Sequence, residues 1–276
     1  MNRLPTFSPV TATFATGGRM MIVAVLAVLA GCAHLGSEKT RVQPQATVFD
    51  ETAVLASDMR IADSALKGGD LEVARPIYAR LTETHPDMPG PWLGLADTYY
   101  LGGELHAARL AYAEATERFP DELEAQLGLG RVALRNRDID EAIVIYTKML
   151  QKWPNEPLAL AGLGVAHDLS GRHEEAQEIY RRGLRIHADD VALRNNLGLS
   201  LALSGKPRES VNILLGNSGV SGKLPQEQAN LAFAYGLMGR DDAAESILLA
   251  NQSLGNTQDN LEFYRHVRQR IGKSSR

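Results

Sequence analysis

One cysteine, Cys32, occurs in the 276 residues, so the sequence can form no internal disulfide and offers no thiol pair for redox or metal chemistry. Basic residues are not in excess either, since 29 Lys plus Arg face 33 Asp plus Glu for a formal net charge of −4. With no basic stripe to neutralise phosphates, nucleic acid is a poor candidate partner. Long apolar runs are missing as well. The run Met20 to Ala30 would reach only ~16 Å as a helix, about half of a bilayer's hydrocarbon core, so it is a poor membrane span. No nucleophile stands at an interpretable spacing from a base. His173-Glu174 opens an H-E-x-x-H pattern, but Gln177 takes the place of the second imidazole. The remaining histidines show no metal-ligand spacing, and His167 stands where Tyr99 and Tyr235 stand, a position for packing or for lining a groove. Gly128-x-Gly130 imitates part of a dinucleotide fingerprint with no strand before it. No catalytic residue, metal or cofactor is therefore expected.

What the sequence does have is a period. Ala74, Ala108, Ala142, Ala176, Ser210 and Ala244 stand 34 residues apart, and Tyr78, Tyr112, Tyr146, Tyr180, Leu214 and Leu248 keep step one helical turn later. Ahead of each pair comes a Leu or Ile followed by a small residue: Ile61-Ala62, Leu95-Ala96, Leu129-Gly130, Leu163-Gly164, Leu197-Gly198 and Leu231-Ala232. This ruler resembles the tetratricopeptide (TPR) repeat and predicts an all-α solenoid of about six helix-turn-helix units, each burying its apolar face on its neighbours. The units fall at 55–88, 89–122, 123–156, 157–190, 191–224 and 225–256, within a repeat region 54–256.

Turn chemistry repeats too. Gly69, Gly103, Gly171, Gly205 and Gly239 hold the place where the first helix of a unit ends and a positive φ is needed. Arg137 holds it in the third unit, where the neighbouring Asn136 is expected to adopt the left-handed conformation instead. Acidic residues follow at the start of the second helix, and Pro86, Pro120 and Pro154 close the first three units. The fifth unit runs into Gly216-Asn217-Ser218-Gly219, which predicts a short second helix. Leu261, Tyr264, Val267 and Ile271 at helical spacing predict a capping helix within 257–276.

Before the repeats, Arg19, the apolar run and Leu29-Ala30-Gly31-Cys32 read as a secretory signal over 1–31. Met1, Met20 and Met21 all precede the apolar core. The four residues resemble a bacterial lipobox, which implies that Cys32 is acylated and becomes the first mature residue; the competing reading is a buried cysteine in an uncleaved anchor. The mature chain would carry 27 Lys plus Arg against 33 Asp plus Glu, a net of −6. Residues 32–53, polar and without helical period, read as a tether of ~25 Å as a flexible coil. Ala33 in place of aspartate implies sorting to the outer membrane in the lipoproteins this resembles, with the solenoid facing the periplasm.

The repeat register then assigns the inner face. The early units are expected to present Trp92, Asp97, Tyr100, Arg131 and Arg135, a polar and aromatic stretch. Later units are expected to present Val165, Leu169, Asn195, Leu199, Leu203, Asn230, Phe233 and Leu237, an apolar trough suited to an amphipathic helix or an extended apolar segment. Packing between repeats is the competing role for these leucines. Asn196 and Asn230, one period apart, match the asparagines of carboxylate-clamp TPR domains, whose basic partners are missing here. The lipobox, the tether, the repeats, the segment Asn195-Asn196-Leu197-Gly198-Leu199-Ser200-Leu201-Ala202-Leu203-Ser204-Gly205 and the closing Asn260-Leu261-Glu262-Phe263-Tyr264-Arg265 together resemble the TadD family, TPR lipoproteins of tight-adherence (Flp, type IVc) pilus systems. That resemblance implies a non-catalytic outer-membrane lipoprotein with a pilotin-like or assembly role, binding protein partners and helping the pilus secretin localise or multimerise. Another envelope scaffold stays open as the alternative: a type IV pilus pilotin, an outer-membrane protein assembly factor or a peptidoglycan-enzyme adaptor. An enzyme is the remote one.

Overall fold

The computed structural model describes residues 51–216, 224–250 and 254–274, all within the compact unit Phe49–Arg276. The signal segment, Cys32 and most of the tether lie outside these residues. The described residues form helices only, in six hairpins and a closing helix. They are α1 (Glu51–Gly68) with α2 (Leu71–Thr84), α3 (Pro89–Leu101) with α4 (Leu105–Arg118), and α5 (Leu123–Arg135) with α6 (Ile139–Lys152). Then come α7 (Pro157–Leu169) with α8 (His173–Ile186), α9 (Val191–Leu203) with α10 (Pro207–Leu215), α11 (Pro225–Leu237) with α12 (Asp241–Leu249), and finally α13 (Leu254–Ser274). Because α1 begins at Glu51, the last three residues assigned to the tether are helical. The second helix of the sixth unit, α12, is as short as α10, nine residues each.

Each helix packs on the next, and each odd helix from α1 to α9 also touches the odd helix after it. Even helices make no such contact with one another, so the odd helices line one continuous inner face and the even helices lie behind them. The wedge that fixes this stacking is aromatic. Tyr78, Tyr112, Tyr146 and Tyr180 are at most 1% exposed, and burying each ring contributes roughly 2–3 kcal/mol. Space for the rings comes from missing Cβ atoms. Tyr146 lies between Gly130 of its own unit and Gly162 of the next, where an added Cβ would sit 2.4 and 2.3 Å from its Cζ.

Each hairpin turns the same way. The amide of Asp70 donates to the carbonyl of Ala65, five residues back, and Glu104, Asp138, Arg172, Lys206 and Arg240 repeat that bond at 2.8–2.9 Å. It forces the preceding residue to a positive φ, +75° to +81° at the five glycines. In the third unit the residue so placed is Arg137, with φ 67°, while Asn136 stays right-handed at φ −77°. The expectation for Asn136 is corrected: the bond counts residues back to the carbonyl, so the register and not the residue type selects the left-handed position.

The capping helix begins at Leu254, earlier than its apolar spacing suggests, and packs on both α11 and α12. Tyr264 fills the space left by Gly236, while Arg265 and Arg268 reach Asp241 at 2.7 and 3.1 Å. Its far end brings Ile271 against Gly205 in the turn after α9.

Candidate functional site: the inner face

The early units assemble a site. Asp97 and Tyr100 on α3 meet Arg131 and Arg135 on α5, one repeat later, and Val165 and Leu169 on α7 complete the wall of a concavity of about 460 Å³ around Tyr100, Arg131 and Arg135. The Tyr112 hydroxyl donates to Asp97, which also pairs with Arg131 at 3.2 Å. Arg131 donates to the Tyr112 hydroxyl at 3.1 Å as well. Burial and then the Asp97 charge push the Tyr112 hydroxyl far up, so it stays protonated and serves as a donor. The guanidiniums of Arg131 and Arg135 lie 5.4 and 4.9 Å from the Tyr100 ring centroid, each within cation–π range. Arg135 also donates to the Tyr100 carbonyl at 2.5 Å. The result is a rigid aromatic and cationic floor beside an apolar wall. Leu134 and Arg137 line it too; neither belongs to the inner-face register, and the sequence marks Arg137 only as the single non-glycine at the turn position.

Trp92 is not part of this group. Its indole Nε1 donates to the Pro86 carbonyl at 3.1 Å, and Arg118 of α4 covers the ring at 4.5 Å. Gln126, one period on, makes the same bond to Pro120. This register position fastens the loop between units and faces the even helix, which corrects the inner-face assignment.

The later units differ from expectation more widely. Phe233 and Leu237 are only 9% and 6% exposed, because α13 covers them: the Phe233 ring stands 5.3 Å from that of Tyr264 and 6.4 Å from that of Phe263. Leu199 packs half-buried against the same cluster. Asn230 is buried and donates to the Asn195 side-chain carbonyl at 2.9 Å, which ties α11 to α9. Asn196 is half-buried. Of the expected trough, Leu203 and Leu169 remain exposed, Leu203 in a smaller concavity of about 280 Å³ shared with Val267, Arg270 and Ile271. The chain's own C-terminal helix therefore occupies the last stretch of the inner face.

Between the two halves sits a polar node. Asp168 accepts hydrogen bonds from Ser200 Oγ at 2.6 Å, His173 Nδ1 at 2.7 Å and the Tyr180 hydroxyl at 3.0 Å. It ties α7, α8 and α9 together and uses the histidine of the incomplete H-E-x-x-H pattern. Burial pushes the neighbouring His167 downward. Among the described residues, no three of His, Cys, Asp and Glu converge as a metal site would require.

Hairpins of this length, stacked with odd helices inward, define a helical-repeat solenoid. Tetratricopeptide-repeat models match residues 59–122, 93–157 and 133–197, together about half of the sequence, and the chain belongs to the TPR family. No curated protein matches it. Among solved structures it is similar to a chain of the APC/C hetero-tetramer Cut9–Hcn1, with TM-score 0.60 and 20% identity over 76% of this chain. It spans 45% of that chain. It is also similar to a TPR protein of Parabacteroides merdae, with TM-score 0.64 and 14% identity over 78% of this chain and 86% of the other. Pseudomonas aeruginosa pilF gives TM-score 0.62 and 14% identity over 78% and 98%. At these identities the likeness is one of fold. TPR folds are typically non-catalytic interaction scaffolds.

Proposed function

We propose that this chain is a lipid-anchored adaptor that takes a protein segment on its inner face and assists the assembly or localisation of a tight-adherence pilus secretin. The observation that supports binding most directly is the Tyr100–Arg131–Arg135 floor with its Val165 and Leu169 wall, open and rigidly held. The envelope and pilus parts rest on the sequence: the lipobox at Cys32, the polar tether and the TadD-like segments. Anchoring follows from acyl chains, since each buried methylene contributes about 0.8 kcal/mol and one chain alone holds only marginally. The pilF likeness is compatible with this reading through the fold alone.

The test has two arms. Cys32→Ser is expected to move the protein from the membrane to the soluble fraction and abolish its fatty-acid labelling. Crosslinked purification from envelope membranes is expected to recover the pilus secretin, and Arg135→Gln with Leu169→Asp is expected to lose it. A secretin that multimerises normally at the outer membrane in a strain lacking this protein would refute the pilotin role. Because the matching repeat models are generic to TPR proteins, an adaptor for another envelope assembly is the second reading. Reproducible capture of that assembly in place of the secretin identifies it.

A further inference from the structure

The chemistry of the bound segment follows from the charge at the inner pocket, on the reading that this face binds protein. The chain as a whole is acidic, with a net charge of −4, yet Arg131, Arg135 and Arg137 share one concavity that no carboxylate lines. On the even helices α2 and α4 of the first two units, each guanidinium is matched to an acid: Arg75 to Glu104, Arg80 to Asp58, Arg109 to Glu141 and Arg118 to Glu114. In the pocket only Arg131 has such a partner, Asp97. Arg135 uses one donor on a neutral carbonyl, which leaves its charge uncompensated. Among the described residues no ion pair joins a carboxylate to Arg135 or Arg137.

A second observation comes from the backbone. Arg137, which lines the pocket, takes a positive φ at the hairpin turn after α5, where five other units use glycine. Left-handed backbone is unfavourable for a residue with a Cβ. A strained residue retained in one unit of six, with its side chain on the pocket wall, points from the outlier to a task.

We infer that the occupant is an acidic segment of a partner protein: an aspartate or glutamate side chain held by Arg135 and Arg137, with an adjacent apolar side chain against Val165 and Leu169. Charge-assisted, forked hydrogen bonds from guanidinium to carboxylate supply the selectivity, and Tyr100 keeps the Arg135 plane in place.

Fluorescence anisotropy with the full chain in detergent tests this, using capped ten-residue peptides that alternate leucine and glutamate, or leucine and glutamine. The glutamate peptide is expected to bind about tenfold tighter at low salt, with the gap closing at molar salt. Arg135→Gln should erase most of that preference. Arg137→Gly should do the same while leaving the melting temperature equal or higher, which separates lost contact from lost fold. Arg181→Gln, an exposed arginine on α8, should leave the preference intact. Equal binding of the two peptides would overturn the inference, as would a preference indifferent to Arg135 and Arg137. Tighter binding of an uncapped glutamine peptide would overturn it in favour of a chain-terminal carboxylate. No pilus component enters these measurements, so they decide the pocket's chemistry separately from the pilus role.

Discussion

Replacing Gly162 by alanine tests the wedge on which the stacking rests. The new Cβ would fall 2.3, 2.5 and 2.7 Å from Cζ, Cε1 and Cε2 of Tyr146, inside the limit that real contacts respect. The ring has no room to step aside, because Gly130 presses on it from its own unit and it is 1% exposed. Overpacking of this kind costs about 1–3 kcal/mol, against a gain of up to about 1 kcal/mol from alanine's helix propensity. A net loss of about 1–2 kcal/mol is expected. Gly68→Ala supplies the opposite sign, since nothing lies within 4 Å of its added Cβ, and it should gain about 0.5–1 kcal/mol. Urea unfolding followed by circular dichroism at unchanged slope reads both. Moving the Gly162→Ala variant into a Tyr146→Leu background should remove most of its cost, because the clash and the ring are one coupled term. A Gly162→Ala midpoint at or above that of the parent, with Gly68→Ala behaving as expected, would refute the wedge.

Three further outcomes follow from the site's surroundings. Asp168→Ala strands three donors between α7, α8 and α9, and should cost about 3 kcal/mol; a midpoint shift no larger than that of an exposed carboxylate such as Glu178 would show the node to be idle. Ending the chain after Ala250 removes α13 and should expose Phe233 and Leu237, a loss of roughly 3–5 kcal/mol of apolar burial. Increased binding of a naphthalene-sulfonate dye reads that exposure, and unchanged dye binding with native helicity would contradict the seat assigned to α13. The third outcome concerns pH. Hydrogen bonds from Arg265, with Arg268 adding to them, hold the Asp241 carboxyl below its ordinary range. Its contribution is therefore complete above about pH 4 and fades as pH falls through the lowered value. Amide exchange in α13, corrected for intrinsic rates, should rise only in that acid window, and Asp241→Asn should abolish the acid-dependent rise.

Much of the fold is legible in the sequence because a repeat states its packing six times. Ala74 to Ala244 and Tyr78 to Leu248 record the same contact at one spacing, so chance variation at one unit does not hide it. Asp97, Tyr100, Arg131, Arg135, Val165 and Leu169 share a surface for the same reason: register maps onto face when the odd helices line up. What register does not carry is the identity of whatever lies over that face. Leu261, Tyr264, Val267 and Ile271 announce an apolar side to α13 without saying what it covers, so Phe233 and Leu237 read as open when they are covered. Trp92 shows a second limit. Its partners are the Pro86 carbonyl and Arg118 from the back of the hairpin, and the period that repeats Pro86 at Pro120 marks the loop without saying which side chain its carbonyl takes. Arg137 was visible as an exception, but conformational preference pointed to Asn136, and only the hydrogen bond to Ala133 decides between neighbours.

The place of α13 gives direction to a scaffold whose units are otherwise nearly interchangeable. A segment laid along the inner face toward the C-terminal end meets a barrier at the sixth unit, where Phe233 is already taken. Whatever follows the docked stretch must leave the solenoid beside Leu203 and Ile271. On the proposed adaptor reading, α13 thereby limits how much of a partner the inner face holds and marks the point at which the remainder leaves it.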